Sequence, residues 1–509
     1  MIRNLGIKCR GGPPWRPLRR IKDLCEGHSE EGRPRRAAPT FGSLLTGFLG
    51  VLICMGLLSV TAVAAPRVTI SIPATGQIKV EAEFSKPARS WSFRNAYASA
   101  LGLAERIEDF QAFGESGQDA RVKKSAVGEF RSELDASRIN YTVKLSAPRS
   151  QHLPYVSWLD GERGILMFAD LVPIDIEKLS CKFLMPAGWS VESSTTPDAT
   201  GQYNVSEPLK AVFLVGSLLR KRSNNVDGMS LDTVVSGMWS FKDDDAWKTA
   251  ARVMQKHFAL TGYKLPNKSV VVIAPLPVSA PQMWKAETRG STVLLLVNPA
   301  ERKQMSSAQL GVIFTHELLH LWVPNALKLE GDYDWFFEGF TMYVALRTAL
   351  DLKIIKFDGF LNTLGASYKY YLEHPDNLSL VEASETRWTV TSGFAHVYIK
   401  PMLVAFLYDL KLRKESDGKA TLANRYRELF NGGVADGANG NEAIIRVLGS
   451  SPALKDFTKS YIEKSGPLKL EEAVREYGLQ LHWSGMNTQL TVGPKLDEDQ
   501  KQILRSLGY

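Results

Sequence analysis

Two histidines four residues apart, with a glutamate beside the first, stand in the stretch His316-Glu317-Leu318-Leu319-His320. On a helix, residues at this spacing lie one turn above each other on one face, so both rings reach a single ion. Imidazole nitrogens are good zinc ligands. Zinc lowers the pKa of a bound water to about 7, where a neighbouring carboxylate such as Glu317 removes its proton during attack. That is the chemistry the His-Glu-x-x-His spacing offers; the alternative is a pair of satisfied histidines on a buried helix. A tetrahedral site with one open position needs a third protein ligand. Further along stands Glu338, within Trp335-Phe336-Phe337-Glu338-Gly339-Phe340. An unpaired carboxylate buried in so apolar a segment is costly, and coordination offsets that cost. The competing reading is a glutamate at a helix start, facing water.

These residues need elements to hold them. Ser306 and Gln309 have capping-box spacing and open a helix that continues through Ile313, Phe314, Leu318 and Leu321. Residues 245–262 have helical period, with Trp247, Ala250, Ala251, Met254 and Phe258 on one face and Gly262 as the stop. The apolar runs 270–273 and 293–297 read as strands, and almost everything from 335 to 482 reads as helix. Earlier, the runs 68–72, 78–82, 139–145 and 212–215 alternate or stay apolar between Pro, Gly and Ser punctuation, which predicts a mostly antiparallel sandwich. Ser223-Asn224-Asn225 reads as its polar boundary. The expectation is a multidomain α+β chain: a β-rich N-terminal domain at 67–225, a catalytic domain at 226–400, a helical domain at 401–482 and a tail at 483–509. Such a division suits a chain of 509 residues.

Charge restricts the partners. The chain has 62 Lys and Arg against 54 Asp and Glu, but residues 1–64 hold ten of the bases and four of the acids. The remainder carries 52 against 50 and is nearly neutral, which removes the motive for nucleic-acid binding. Residues 41–65 contain no charge, follow the basic cluster Arg33, Arg35 and Arg36, and end on Ala62-Val63-Ala64. They read as a signal peptide or an uncleaved membrane anchor behind a basic extension at 1–40, with the body exported to a periplasmic or extracellular space. Three of the four cysteines, Cys9, Cys25 and Cys54, lie in this leader. Cys181 is left alone in the body and reads as a small buried apolar residue.

The histidine pair followed by Glu338-Gly339-Phe340-Thr341 resembles the gluzincin metallopeptidases, relatives of aminopeptidase N, and in particular the glycyl aminopeptidase family. The segment from Tyr398-Ile399-Lys400-Pro401 to Leu410 is similar to that family's Tyr-x-Lys-Gly helix, with Pro401 in place of the glycine. Gly466-Pro467-Leu468 and Tyr477-Gly478-Leu479 resemble its C-terminal helical segment, and Met185-Pro186-Ala187-Gly188-Trp189 its N-terminal region. The resemblance spans residues 67–482 and implies a thermolysin-like catalytic domain. It also implies one zinc per chain on His316, His320 and Glu338, with Glu317 as general base and Tyr398 as donor to the oxyanion. Lys285-Ala286-Glu287-Thr288-Arg289-Gly290-Ser291 stands where the family has its substrate strand, without that strand's glycines and histidine. Glu287 is there either the reader of a substrate α-amine or half of a surface pair with Arg289. The PDZ domain common in the family is not expected in the 27 residues after His482.

The functional expectation is an exported zinc metallopeptidase acting on peptides, aminopeptidase-like, with its oligomeric state left open. Two alternatives use the same residues: a degenerate peptidase that binds peptides or a partner without hydrolysis, and a zinc hydrolase of a non-peptide substrate. His374, His396 and His482 read as structural or surface residues, and Tyr368, Tyr370 and Tyr371 as packing.

Overall fold

The computed structural model describes residues 64–509 except 74–75, 99, 148–151, 280–282, 376, 388–392 and 485–486. The leader, its three cysteines and all but the last two residues of the 41–65 segment lie outside the described residues. Among those described, no helix is long and apolar enough to cross a membrane.

Three sheets are stacked by the two-residue alternation of their strands. The first is seven-stranded and includes Arg67–Ser71, Gln77–Ser92, Glu129–Lys144 and Leu179–Leu184. Its pairs are antiparallel apart from Arg67–Ser71 beside Leu179–Leu184. The second has four antiparallel strands in the order Trp189–Ser193, Val212–Ser217, Arg163–Met167, Trp158–Leu159. Side chains on a strand point alternately to its two faces. Phe213, Val215 and Leu166 thus pack on the first sheet with Val68, Ile70 and Ile139. Val212, Leu214, Ile165 and Met167 face the other way and meet Val270, Val272, Leu294 and Leu296 of the third sheet. Cys181 is buried in the first of these cores and free.

The third sheet has the order Arg220–Val226, Met229–Val235, Ser269–Pro275, Thr292–Val297, Trp284–Arg289. Its three inner strands are parallel. A parallel pair needs a crossover connection, and the helix Asp243–Thr261 supplies it between the second and third strands, stopping at Gly262 in the left-handed conformation. The face away from the second sheet, with Val271, Ile273, Leu295 and Val297, packs on the helices. Helix Asp243–Thr261 buries Ala246, Ala250, Val253, Met254 and His257, a face rotated from the predicted one. Trp247 and Ala251 keep partial exposure at its edge, because the helix packs its His257 side against the Ser307–Glu317 helix and the turn after it.

Two predicted boundaries move. Ser223-Asn224-Asn225 is not a linker but part of Arg220–Val226, an edge strand of the third sheet paired with Met229–Val235. One side of an edge strand is open to water, so its composition is as polar as a loop's. Residues 483–509 are not a tail: Leu479–Ser484 pairs with Asn487–Val492, and the helix Glu498–Leu507 buries Ile503, Leu504 and Leu507. The hairpin seats directly on the helix Phe357–Leu372, where a Cβ on Gly365 would stand 2.7 Å from the backbone nitrogen of Leu490. The helices after residue 400 share one continuous core with the catalytic sheet rather than a core of their own.

Candidate metal centre

The capping box forms as the sequence predicts. Ser306 Oγ accepts from the Gln309 amide at 3.2 Å, and the Ser306 amide donates to Gln309 Oε1 at 2.8 Å. The α-helix Ser307–Glu317 then tightens into a 3₁₀ turn, Leu318–Leu321, so His316 ends the α-helix and His320 lies in the turn. Their rings still share a face, perpendicular and with centroids 4.7 Å apart. Glu338 comes from Trp335–Phe340, a π-helical turn that leads into the helix Thr341–Asp351. Tyr398 comes from a second π-helical turn, Ala395–Ile399, leading into Lys400–Glu415. Such turns insert an extra residue into a helix and recur at functional sites. The two turns lie against each other at Gly339, where a Cβ would stand 2.4 Å from Pro401 Cβ and 3.0 Å from the Val397 carbonyl oxygen. Pro401, in place of the family's glycine, is thus part of the contact that demands glycine at 339. Gly339→Ala is expected to destabilise the fold by about 1–3 kcal/mol, the usual cost of overpacking, which thermal unfolding of the variant measures.

His316 Nε2 and His320 Nε2 are 3.1 Å apart, and Glu338 Oε2 lies 3.7 Å from the first and 3.5 Å from the second. Ligand atoms about 2.0–2.1 Å from a tetrahedral zinc stand about 3.3–3.4 Å from one another, so the three edges fit that ion. The remaining lone pairs agree. His320 Nδ1 lies 2.9 Å from the Val323 carbonyl oxygen. A carbonyl can only accept, so Nδ1 carries a hydrogen and Nε2 is the nitrogen left to face the centre. Glu338 Oε2 is buried with no hydrogen-bond partner among the described residues. Burial is the largest influence on each of these groups. It pulls His316 well below its usual value and raises Glu338. At His320 burial is overridden by the close approach and negative charge of Glu338, which push it up to about 9. The point between His320 and Glu338 therefore favours a cation, and the donor set is one that suits zinc.

Around this triad stand further groups. Glu317 is 1% exposed, and Thr288 Oγ1 donates to its backbone oxygen at 2.9 Å and to its carboxylate Oε2 at 3.2 Å. Thr288 lies on the edge strand Trp284–Arg289, facing the metal helix. Glu287 and Arg289 take the opposite face of that strand. Burial pushes the Glu287 carboxyl up to about 8; Arg289 pulls against it, while the charges of Glu317 and Glu338 add to it. Glu287 therefore belongs to the electrostatics of the centre. Arg289 is not half of a surface pair. It is 3% exposed, and its Nη1 donates to Met167 Sδ at 3.0 Å, on the strand Arg163–Met167 of the second sheet. The strand's second face is covered by the N-terminal domain, which a reading of local alternation could not reveal. On the far side of the centre, Arg387 Nη2 donates to Tyr398 Oη at 2.8 Å and lies 3.7 Å from Glu338 Oε1, while Nη1 pairs with Asp334. The hydroxyl of Tyr398 thus points into the same polar knot as Glu338.

Thr288, Asp334 and Arg387 escaped the sequence reading. Thr288 had a signal, since alternation puts it across the strand from Glu287 and Arg289. The others had none. His396 is buried, His374 Nδ1 lies 2.8 Å from the Tyr370 carbonyl oxygen, His482 sits in the C-terminal hairpin, and Tyr368 and Tyr371 are core residues.

Residues 245–369 match the peptidase family M1 domain, a span that contains both histidines, Glu317 and Glu338. No curated protein matches the sequence. Among solved structures, the chain is similar to an aminopeptidase N family protein from Idiomarina loihiensis, with 19% identity, a TM-score of 0.68 and coverage of 82% of this chain and 79% of that one. It is also similar to a mutant M1 zinc metallopeptidase from Deinococcus radiodurans bound to a Tyr-Ser-Ala substrate, with 13% identity, a TM-score of 0.51 and coverage of 80% and 95%. The fold is shared with both. The family match together with the donor set gives the enzyme class as zinc metallopeptidase, a hydrolase.

Proposed function

Taking residues 245–369 as a peptidase family M1 domain, we propose that the protein is an aminopeptidase: it hydrolyses peptides from their free N-terminus, with one zinc on His316, His320 and Glu338 and Glu317 as general base. The observation that carries this reading is the convergence of three ligand atoms within 4.8 Å of one another beside a carboxylate held by Thr288. We read the mixed sheet and its helices as the thermolysin-like catalytic unit, and the N-terminal sheets as one wall of the cleft.

When bound, zinc polarises the scissile carbonyl and makes an attacking water acidic enough to lose its proton near neutrality. The chain's own residues do the rest. Thr288 fixes one oxygen of Glu317, leaving the other to take the proton and deliver it to the departing amine. Tyr398 supplies an O–H to the oxygen on which charge develops, and Arg387 sets the direction of that O–H by occupying the phenol's lone pair. Glu287, on the cleft face of the edge strand, pairs with the substrate α-amine. Binding of that cation favours the ionised carboxylate against the burial that opposes it. The charge-free run at 41–65 supports export of the body.

The test is metal content together with an end-group comparison. The purified body is expected to carry close to one zinc per chain, lost in His320→Ala. It is expected to cleave a free-amine tripeptide about 10–100-fold more efficiently than its N-acetylated form, the range of one charge-assisted contact. Equal cleavage of the two forms would remove Glu287 from amine recognition. A zinc-loaded protein that turns over neither is not a peptidase.

A further inference from the structure

Arg289 has hydrogen-bond donors that the fold leaves unmatched, although burial is outweighed by Tyr97, Glu287 and Asp170, which stabilise its charge. It is 3% exposed, yet its Nε and Nη2 have no hydrogen-bond partner among the described residues. A buried guanidinium with idle donors is costly. Its Cζ stands 4.4 Å from the ring centroid of Tyr97, whose buried hydroxyl is close enough to Arg289 to stabilise its charge. The same ring is approached by Arg94, whose Cζ is 5.4 Å from the centroid. Burial first, and then the like charge of Arg289, hold Arg94 below its usual range. Two cations are thus gathered about one tyrosine.

The nearby carboxylates attract these cations but take none of the idle Arg289 donors among the described contacts. Asp170 is committed: it accepts from Arg106 Nη2 at 2.8 Å, from the Ser157 amide at 2.8 Å and from Ser157 Oγ at 2.5 Å. Glu287 attracts Arg289 but forms no ion pair with it among the described contacts, and it also feels the charges of Glu317, Glu338 and His320. Arg94, Tyr97 and Glu287 all keep partial exposure, so the group is not sealed from solvent. A carboxylate placed there would take two parallel N–H donors from Arg289 and the hydroxyl of Tyr97, the geometry in which arginine binds carboxylates best.

We propose that Arg289, with Tyr97 and Arg94, is the subsite for an acidic side chain on the substrate's first residue, so that the enzyme removes N-terminal glutamate or aspartate. The placement rests on the aminopeptidase reading above, in which Glu287 takes the α-amine. Arg289 lies on the same face of the strand two residues further on, about 6–7 Å along it, and toward the N-terminal domain rather than toward the metal triad. The group that extends from the amine in that direction is the first side chain, whereas the rest of the peptide runs past Glu317. The separation suits the reach of glutamate better than that of aspartate.

The experiment compares Glu- and Gln-arylamides, which differ in charge and scarcely in shape, using the zinc-loaded enzyme. The expected kcat/KM ratio is at least about tenfold in favour of Glu, falling toward one in Arg289→Gln and partly kept in Arg289→Lys. Arg94→Gln, at a half-buried position, lowers the same ratio and serves if Arg289→Gln does not fold. A ratio near one in the unaltered enzyme, or one that survives Arg289→Gln because both substrates lose equally, overturns the subsite and leaves Arg289 as a strut between domains. Calorimetric binding of Glu-Ala-Ala and Gln-Ala-Ala to zinc-loaded Glu317→Gln separates the two readings. A binding preference without turnover by the unaltered enzyme sinks the peptidase reading alone, and equal binding sinks the subsite. If instead Ala-Ala binds more tightly than Ala-Ala amide while Glu and Gln do not differ, the arginines read the C-terminal carboxylate and the side-chain assignment is wrong.

Discussion

Glu317→Gln is expected to lower kcat by about 10²–10⁴-fold, the usual share of a general base, with zinc content unchanged. The geometry makes this a clean substitution. Glu317 is not one of the three groups whose ligand atoms converge, so the donor set of His316, His320 and Glu338 stays intact. Glutamine has the shape of glutamate, and its carbonyl oxygen still accepts from Thr288 Oγ1, which now donates to Oε2 at 3.2 Å. What is lost is the capacity to take a proton, since an amide is not a base near neutrality. Substrate binding is kept, and KM moves little while kcat collapses, the signature of a group that acts in the transition state. Elemental analysis and steady-state kinetics on the same preparation check both halves. Retained turnover at full zinc content would place the base elsewhere; lost zinc would mean that Glu317 shapes the centre rather than working in it.

The contrast between what was legible and what was not follows from how far each interaction reaches along the chain. The histidine pair is local: four residues, one helix face, one capping box at Ser306 to start the register. Glu338 was legible by cost, because a carboxylate amid Trp335, Phe336, Phe337 and Phe340 needs a reason to be there. Tyr398 was legible only through resemblance, as nothing in its neighbours distinguishes it from a core tyrosine. Its partners were not legible at all. Asp334 and Arg387 are paired across 53 positions, and Arg289 meets Met167 across 122. The division of the chain failed where polarity misled. The edge strand Arg220–Val226 is solvated on one side and read as a boundary, and the final helix is charged on one face while burying Ile503, Leu504 and Leu507 on the other. Alternation states that a strand has two faces, but not that the second face of Trp284–Arg289 is roofed by another domain. That roof is what turns Arg289 from a surface residue into a buried one.

Tyr398→Phe is expected to lower kcat by about 10²–10³-fold, the effect of removing one donor to a developing oxyanion, with KM and zinc content little changed. Tyr398 is 3% exposed, stacked on Phe394 with ring centroids 5.0 Å apart, and its ring lies 5.5 Å from Arg387 Cζ. Phenylalanine keeps those contacts and deletes only the hydroxyl. A phenol that accepts from Arg387 at 2.8 Å has its own hydrogen turned elsewhere, and a neutral donor aimed at forming charge is worth more in the transition state than in the ground state. The deletion also leaves one Arg387 donor without its acceptor, but that guanidinium keeps Asp334 and remains near Glu338. The loss of stability should therefore be modest, about 1–3 kcal/mol, and visible in thermal unfolding. The two effects separate by readout. An oxyanion donor lowers kcat per zinc-loaded chain at temperatures where the variant is folded, whereas a merely structural tyrosine shifts the unfolding midpoint and leaves kcat per folded chain in place. A rise in KM with kcat retained would put the hydroxyl on the bound substrate instead, and would move the oxyanion role away from the π-helical turn that brings Tyr398 beside Glu338.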